Sequence, residues 1–216
     1  MGGNPQRYES DFNKIKVPCV LVTNQAENVV NQNLSSVGTD DITAAEKITE
    51  YLIKNGHKNI GVVGGDITNS EISERRYRGF LKAVKNNKLK FDYDKQYQTT
   101  KYSFEGGAQA IKELLKKSPE ITAVFAMSDV QATGAMRMLN DMGISVPTDI
   151  SGTGFDGLPF TQYITPRLTT IKQFETELAK SGLESLIEAI SRDDNIASHS
   201  LIPFELIEGE SVLNIN

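Results

Sequence analysis

The sequence predicts an α/β fold, with mainly parallel sheets and helices on both faces. Two observations carry that prediction. Hydrophobic residues make up 38% and charged residues 24% of 216 residues, a globular composition with room for one ordinary domain or two small lobes. Short apolar runs rich in β-branched residues also alternate with stretches whose apolar residues recur at three and four, a β–α–β–α succession.

The elements follow in order. Val17–Val22 is an apolar run suited to a buried parallel strand, and a polar stretch covers Thr23–Ser36. A helix starts near Ile42, because Ile42, Ala45, Ile48 and Leu52 share one face, and Gly56 stops it. Ile60–Val63 is the next strand, closed by Gly64 and Gly65. A helix from about Glu71 turns Tyr77, Phe80, Leu81 and Val84 to one side. A weak strand lies near Gln96–Thr99, and a helix carries Ala108, Ile111 and Leu115. Ile121–Met127 is a strand, and Asp129–Met142 a helix stopped by Gly143. Ile150–Phe155 and Leu168–Ile171 are strands with an irregular segment between them, marked by Pro159 and Pro166. A helix spans roughly Phe174–Ile190, and the last strand is about Leu201–Ile207.

Composition excludes several functions. The net charge of -5 and pI near 5.2 leave no basic footprint for gripping a phosphate backbone. No window approaches a membrane-spanning length of apolar residues, so no membrane partner is expected. The start of the chain lacks a basic segment followed by an apolar one, so a cytoplasmic location is expected. A single cysteine, Cys19, makes neither an internal disulfide nor a thiolate metal site. Two histidines far apart, and no HExxH, GxSxG or phosphate-loop pattern, argue against an enzyme, a metal or a cofactor. Gly152–Gly157 spells GxGxxG, but Pro159 follows where a dinucleotide site needs a helix.

Ligands of open α/β sheets bind at the carboxyl ends of the strands. Four such ends carry an aspartate here: Asp40, Asp66, Asp129 and Asp156. Each either caps the next helix or faces a ligand, and Asp156 has no long helix to cap. Carboxylates that accept paired hydrogen bonds suit the neighbouring hydroxyls of a sugar. One or more of Arg75, Arg76 and Arg78 can offer a forked donor inward.

An ordered set of motifs goes further. Val37-Gly38-Thr39-Asp40, Gly56-His57-Lys58-Asn59-Ile60-Gly61, Arg76-Tyr77-Arg78-Gly79-Phe80, Ser128-Asp129, Val146-Pro147-Thr148-Asp149-Ile150, Gly154-Phe155-Asp156 and Leu168-Thr169-Thr170-Ile171-Lys172-Gln173 occur in that order. Together they resemble the effector-binding core of the LacI/GalR family of bacterial transcription regulators, over roughly Val17 to Ser211. The resemblance implies a two-lobed, periplasmic-binding-protein-like fold with three crossings between lobes. Residues 1–56 and 174–200 are expected in an incomplete N-terminal lobe, and 57–173 with 201–216 in the C-terminal lobe. Carried over by motif, the effector pocket contains Asp40, Arg76, Tyr102, Ser128, Asp156 and Gln173, with Tyr102 stacking on a sugar face.

The function so implied is the sensing part of a repressor: a small effector, a sugar or sugar derivative, binds between the lobes. That event controls operator DNA binding by a helix-turn-helix headpiece, which is expected to be absent from this chain. A homodimer is implied, with the helix Asp129–Met142 and its Met136 and Met138 as contributors. The alternative on the same scaffold is a periplasmic-type sugar-binding protein of a transporter. Relatives often carry Asn-Asp where Ser128-Asp129 stands, and valine-rich sequence where Ile150–Phe155 is small and polar.

Overall fold

The computed structural model describes residues 3–26, 29–191 and 196–216. The expected polar stretch 23–36 includes residues 27 and 28, and the expected first lobe includes 1, 2 and 192–195. Those positions lie outside the described residues.

Two sheets organise the chain. After a short helix α1 (Pro5–Phe12), strands β1 (Cys19–Val22) and β2 (Leu34–Thr39) run parallel, and β8 (His199–Ile202) completes a three-stranded sheet in the order β1-β2-β8. All six residues of β2 are buried although half of them are polar. Its two serines find partners far along the chain, as Ser36 Oγ lies 2.8 Å from His199 Nδ1 and Ser35 Oγ accepts from Ser198 N at 3.0 Å.

Helix α2 (Asp41–Lys54) leads into the second sheet. That sheet is built in chain order from β3 (Ile60–Gly64), α3 (Glu71–Asn86), α4 (Tyr93–Gln96), β4 (Tyr97–Thr99), α5 (Phe104–Lys117), β5 (Ala123–Ala126), α6 (Asp129–Asp141), β6 (Ser151–Asp156) and β7 (Thr169–Gln173). Its strand order is β4-β3-β5-β6-β7-β9, parallel except where β9 (Phe204–Ile207) runs antiparallel to β7. Helix α7 (Glu175–Ser191) returns to the first sheet and packs on β1 and β2.

The period-2 alternation of the strands divides the larger core into two layers. Val62, Phe125, Phe155 and Ile171 meet α2 and α3 through Ala45, Ile48, Leu52 and Phe80. Val63, Val124 and Ala126 face the other way, onto Ile111 and Leu114 of α5 and Ala132, Ala135 and Leu139 of α6. Glycine sets the spacing of α2 and α3: a Cβ on Gly79 would strike the Ile42 carbonyl oxygen and lie 2.8 Å from Ala45 Cβ.

Two departures from the expected layout follow from packing. The expected division puts residues 41–54 with the first lobe, but the apolar face of α2 lies in the core of the six-stranded unit. The expected single strand 201–207 is two strands in different sheets, because Pro203 has no N–H to donate and breaks the ladder between β8 and β9. The chain thus passes between the sheets three times, after β2, after β7 and at Pro203. No helix among the described residues is long and apolar enough to cross a membrane.

Candidate functional site

A cavity of about 160 Å³ opens where the carboxyl ends of the strands of both sheets meet. It is lined by Thr23, Asp41, Ile72, Arg76, Tyr102, Asp156 and Gln173. Thr23 follows β1, Asp41 opens α2, Ile72 and Arg76 sit in the first turns of α3, and Asp156 and Gln173 end β6 and β7.

Arg76 is the centre of the site. Its side chain is 4% exposed, because it lies on the apolar stripe of α3 with Phe80 and Val84. Nε donates to Asp41 Oδ1 at 2.8 Å, Nη1 to the Met127 carbonyl, and Nη2 approaches Asp156 Oδ1 at 3.4 Å. Burial works against the charge, but Asp41 and Asp156 beside it hold the guanidinium protonated above its ordinary range. The same burial pushes the Asp41 and Asp156 carboxyls up, and the Arg76 charge pulls them back.

Asp156 combines two signs of a constrained position. Its φ is 114°, in the region that side-chain-bearing residues avoid, and its carboxylate also accepts from Gln173 Nε2 at 2.9 Å. The turn that holds it is tied down by Asp129, whose Oδ2 accepts from Leu158 N at 2.7 Å and whose Oδ1 accepts from Thr170 Oγ1 at 2.5 Å. Burial pushes the Asp129 carboxyl up to about 7 against those bonds. Tyr102 closes another wall, its hydroxyl 2.9 Å from Ser73 Oγ. Burial raises its phenol, opposed by the Arg76 charge.

The structure therefore brings Arg76, Tyr102, Asp156 and Gln173 around one cavity. Asp40 and Ser128 do not line it. Asp40 caps α2, accepting from Thr43 N at 3.1 Å and Thr43 Oγ1 at 2.6 Å, and those bonds outweigh partial burial to lower its carboxyl. Ser128 caps α6, accepting from Gln131 N at 3.3 Å. Asp41, Thr23 and Ile72 were not among the sequence candidates. Asp41 carried a usable signal: it precedes Ala45, Ile48 and Leu52 on the buried stripe of α2. The GxGxxG stretch ends in a turn and a short 3-10 helix, Pro159–Gln162, which offers no helix N-terminus for a pyrophosphate. Among the described residues no group of three or more His, Cys, Asp or Glu could hold a metal ion.

Comparison with known proteins places this architecture. The family model of the periplasmic binding protein-like domain matches residues 49–212. The transcriptional regulator MalR of Clostridium butyricum is 35% identical over all of this chain, which spans 64% of MalR. The repressor PurR of Actinobacillus pleuropneumoniae is 36% identical over 78% of the chain and 50% of its own length. Among solved structures, a LacI-family regulator from Enterococcus faecium with bound ribose superposes with a TM-score of 0.81 at 26% identity, covering 98% of this chain and 76% of that one. The chain belongs to the periplasmic binding protein-like domain family, and over most of its length it is similar to LacI-family transcriptional regulators.

Proposed function

We propose that the chain is the effector-sensing domain of a bacterial transcriptional repressor, and that the effector is a small uncharged sugar bound in the 160 Å³ cavity. The observation that carries this reading is the state of Arg76. Both of its carboxylate neighbours are already on it, so the lining Asp41, Arg76 and Asp156 together carry one net negative charge and no spare cation. A phosphate would meet that charge unfavourably, whereas sugar hydroxyls can donate to the carboxylates and accept from the guanidinium edge. The volume is below the range of drug-sized pockets, which favours a monosaccharide over a disaccharide or nucleoside.

In this reading the two sheets, with α2 counted in the six-stranded unit, are the lobes that close on the sugar. Closure acts on operator DNA through a headpiece carried by the longer protein in the cytoplasm, as the ligand favours one lobe arrangement over the other. The domain pairs with a second copy through α6 and the segments beside it. A groove of about 480 Å³ there has a mixed lining, apolar at Met136, Ile144, Val146, Ile164 and Pro166 and polar at residues such as Arg137 and Asn140, and Tyr163 next to it is 88% exposed. Light scattering on the purified chain checks that pairing.

The test of the sugar is a thermal-shift screen against D-ribose, other neutral monosaccharides, sugar phosphates and purines. A ligand at about 100 times its dissociation constant adds roughly 2.7 kcal/mol, a plain rise in midpoint. A neutral sugar that shifts the wild-type chain and not Asp156→Ala supports the reading. A shift by sugar phosphates alone overturns it.

A further inference from the structure

Glu71 opens α3 on the six-stranded side, yet its carboxylate bonds to the other sheet's unit. It is 7% exposed. Gln25 N donates to its two oxygens at 3.2 and 3.3 Å, and Ala26 N donates to Oε1 at 3.0 Å. Gln25 and Ala26 belong to the loop that leaves β1 of the three-stranded sheet.

That loop needs holding. Thr23 has φ 79° and Ala26 φ 49°, left-handed conformations adopted without glycine. Charge-assisted bonds from consecutive N–H groups to one carboxylate are the kind that can fix such a backbone. The Gln25 side chain adds a bond from Nε2 to the Thr39 carbonyl at 3.1 Å, tying the loop to β2. Two residues before Gln25 stands Thr23, which lines the same cavity as Arg76.

We infer that Glu71 is a positioning residue that clamps the Thr23–Ala26 loop of one unit to α3 of the other, and so sets the gap across which the effector binds. The inference rests on the reading of the cavity as an effector cleft, but the clamp itself can be tested without any effector. Burial pushes the Glu71 carboxyl up and the two backbone N–H groups pull it back, with the Arg75 charge also lowering it.

The experiment compares wild type, Glu71→Gln and Glu71→Ala by residue-resolved amide hydrogen exchange and by D-ribose titration. In Glu71→Ala the Gln25 and Ala26 amides are expected to exchange about tenfold faster or more, while Val62 and Phe125 in the sheet core keep their rates. Glu71→Gln is expected to keep wild-type protection, because Oε1 alone accepts from both N–H groups. D-ribose affinity is expected to fall about tenfold in Glu71→Ala and to be restored by the glutamine. Wild-type exchange at Gln25 and Ala26 in Glu71→Ala overturns the clamp. So does equal loss of protection in a folded Glu71→Gln. If Glu71→Ala loosens the core amides as well, the glutamine variant decides. A wild-type chain that binds no D-ribose overturns that choice of sugar, and the exchange arm still decides the clamp.

Discussion

The guanidinium carbon of Arg76 lies 3.6 Å from the centroid of the Phe155 ring. The ring covers one face of the cation, so its donors leave edgewise, to Asp41, the Met127 carbonyl and Asp156. Phe155 itself is fully buried, which holds the stack in place. One residue from β6 thus orients the cation that its neighbour, Asp156, neutralises.

Removing Arg76 strands two carboxylates in a buried site. Arg76→Ala is expected to cost about 3–5 kcal/mol of folding stability, the range for breaking a buried ion pair from one side. Arg76→Lys is expected to recover only part of this, because an ammonium has no planar fork to serve three acceptors while lying flat on a ring. Urea unfolding curves of the two variants check the order wild type, lysine, alanine.

Neighbouring aspartates should behave differently. Asp40→Ala loses a helix cap, for a cost of about 1 kcal/mol, and leaves sugar affinity within about twofold. Asp41→Asn removes a charge from Arg76 and is expected to weaken sugar binding by about tenfold or more, in line with loss of a charged hydrogen bond. Calorimetric titration of both variants with the same sugar separates the two roles.

Asp129 makes stability depend on pH in an unusual direction. Its folded pKa, raised by burial to about 7, is above the unfolded value of about 4. Between those values the folded state binds more protons, so this residue's contribution falls as pH rises, by up to about 1.4 kcal/mol per unit in mid-window. It is most favourable below about pH 4 and flat above about pH 7. Asp129→Asn keeps an acceptor for Leu158 N and an amide donor for Thr170 Oγ1, but does not titrate. The asparagine variant is therefore expected to gain on wild type as pH rises through that window, read from denaturant unfolding at matched pH values.

The contact of α2 with α3 is set by Gly79. A methyl there has no free volume, and overpacking of about 1–3 kcal/mol outweighs the gain of about 1 kcal/mol in helix propensity. Gly79→Ala is expected to lower the melting midpoint and, by separating the helices that carry Asp41 and Arg76, to weaken sugar binding as well. Thermal melts with and without sugar read both effects.

Much of the fold was legible because its strands are apolar and its helices amphipathic. Ile60–Gly64 and Ala123–Ala126 stand out by β-branched and aromatic content, and Gly56 and Gly143 end their helices with φ of 93° and 76°. Strand β2 was not legible, since Leu34–Thr39 reads as polar and owes its burial to partners far along the chain such as His199. Helix α1 escaped for a similar reason, its PQRYESDF sequence being mostly polar. Of the residues that line the cavity, Arg76 carried a motif as its sequence signal and Asp156 a strand end. Asp40 drew attention for its strand end, but its carboxylate caps α2 while that of its neighbour Asp41 lines the cavity. Ser128 drew it for its place at a strand end, where its hydroxyl serves the next helix instead.

Residues 199–207 belong to both sheets, with Pro203 as the join. Its ring fixes φ at that point, so a change in angle between the sheets must be taken up by the few rotatable bonds beside it. The same segment is hydrogen-bonded to β2 on one side and β7 on the other. With β8 and β9 each held in its own sheet, any turn of one sheet against the other has to be shared between the bonds flanking Pro203 and the two other crossings, after β2 and after β7.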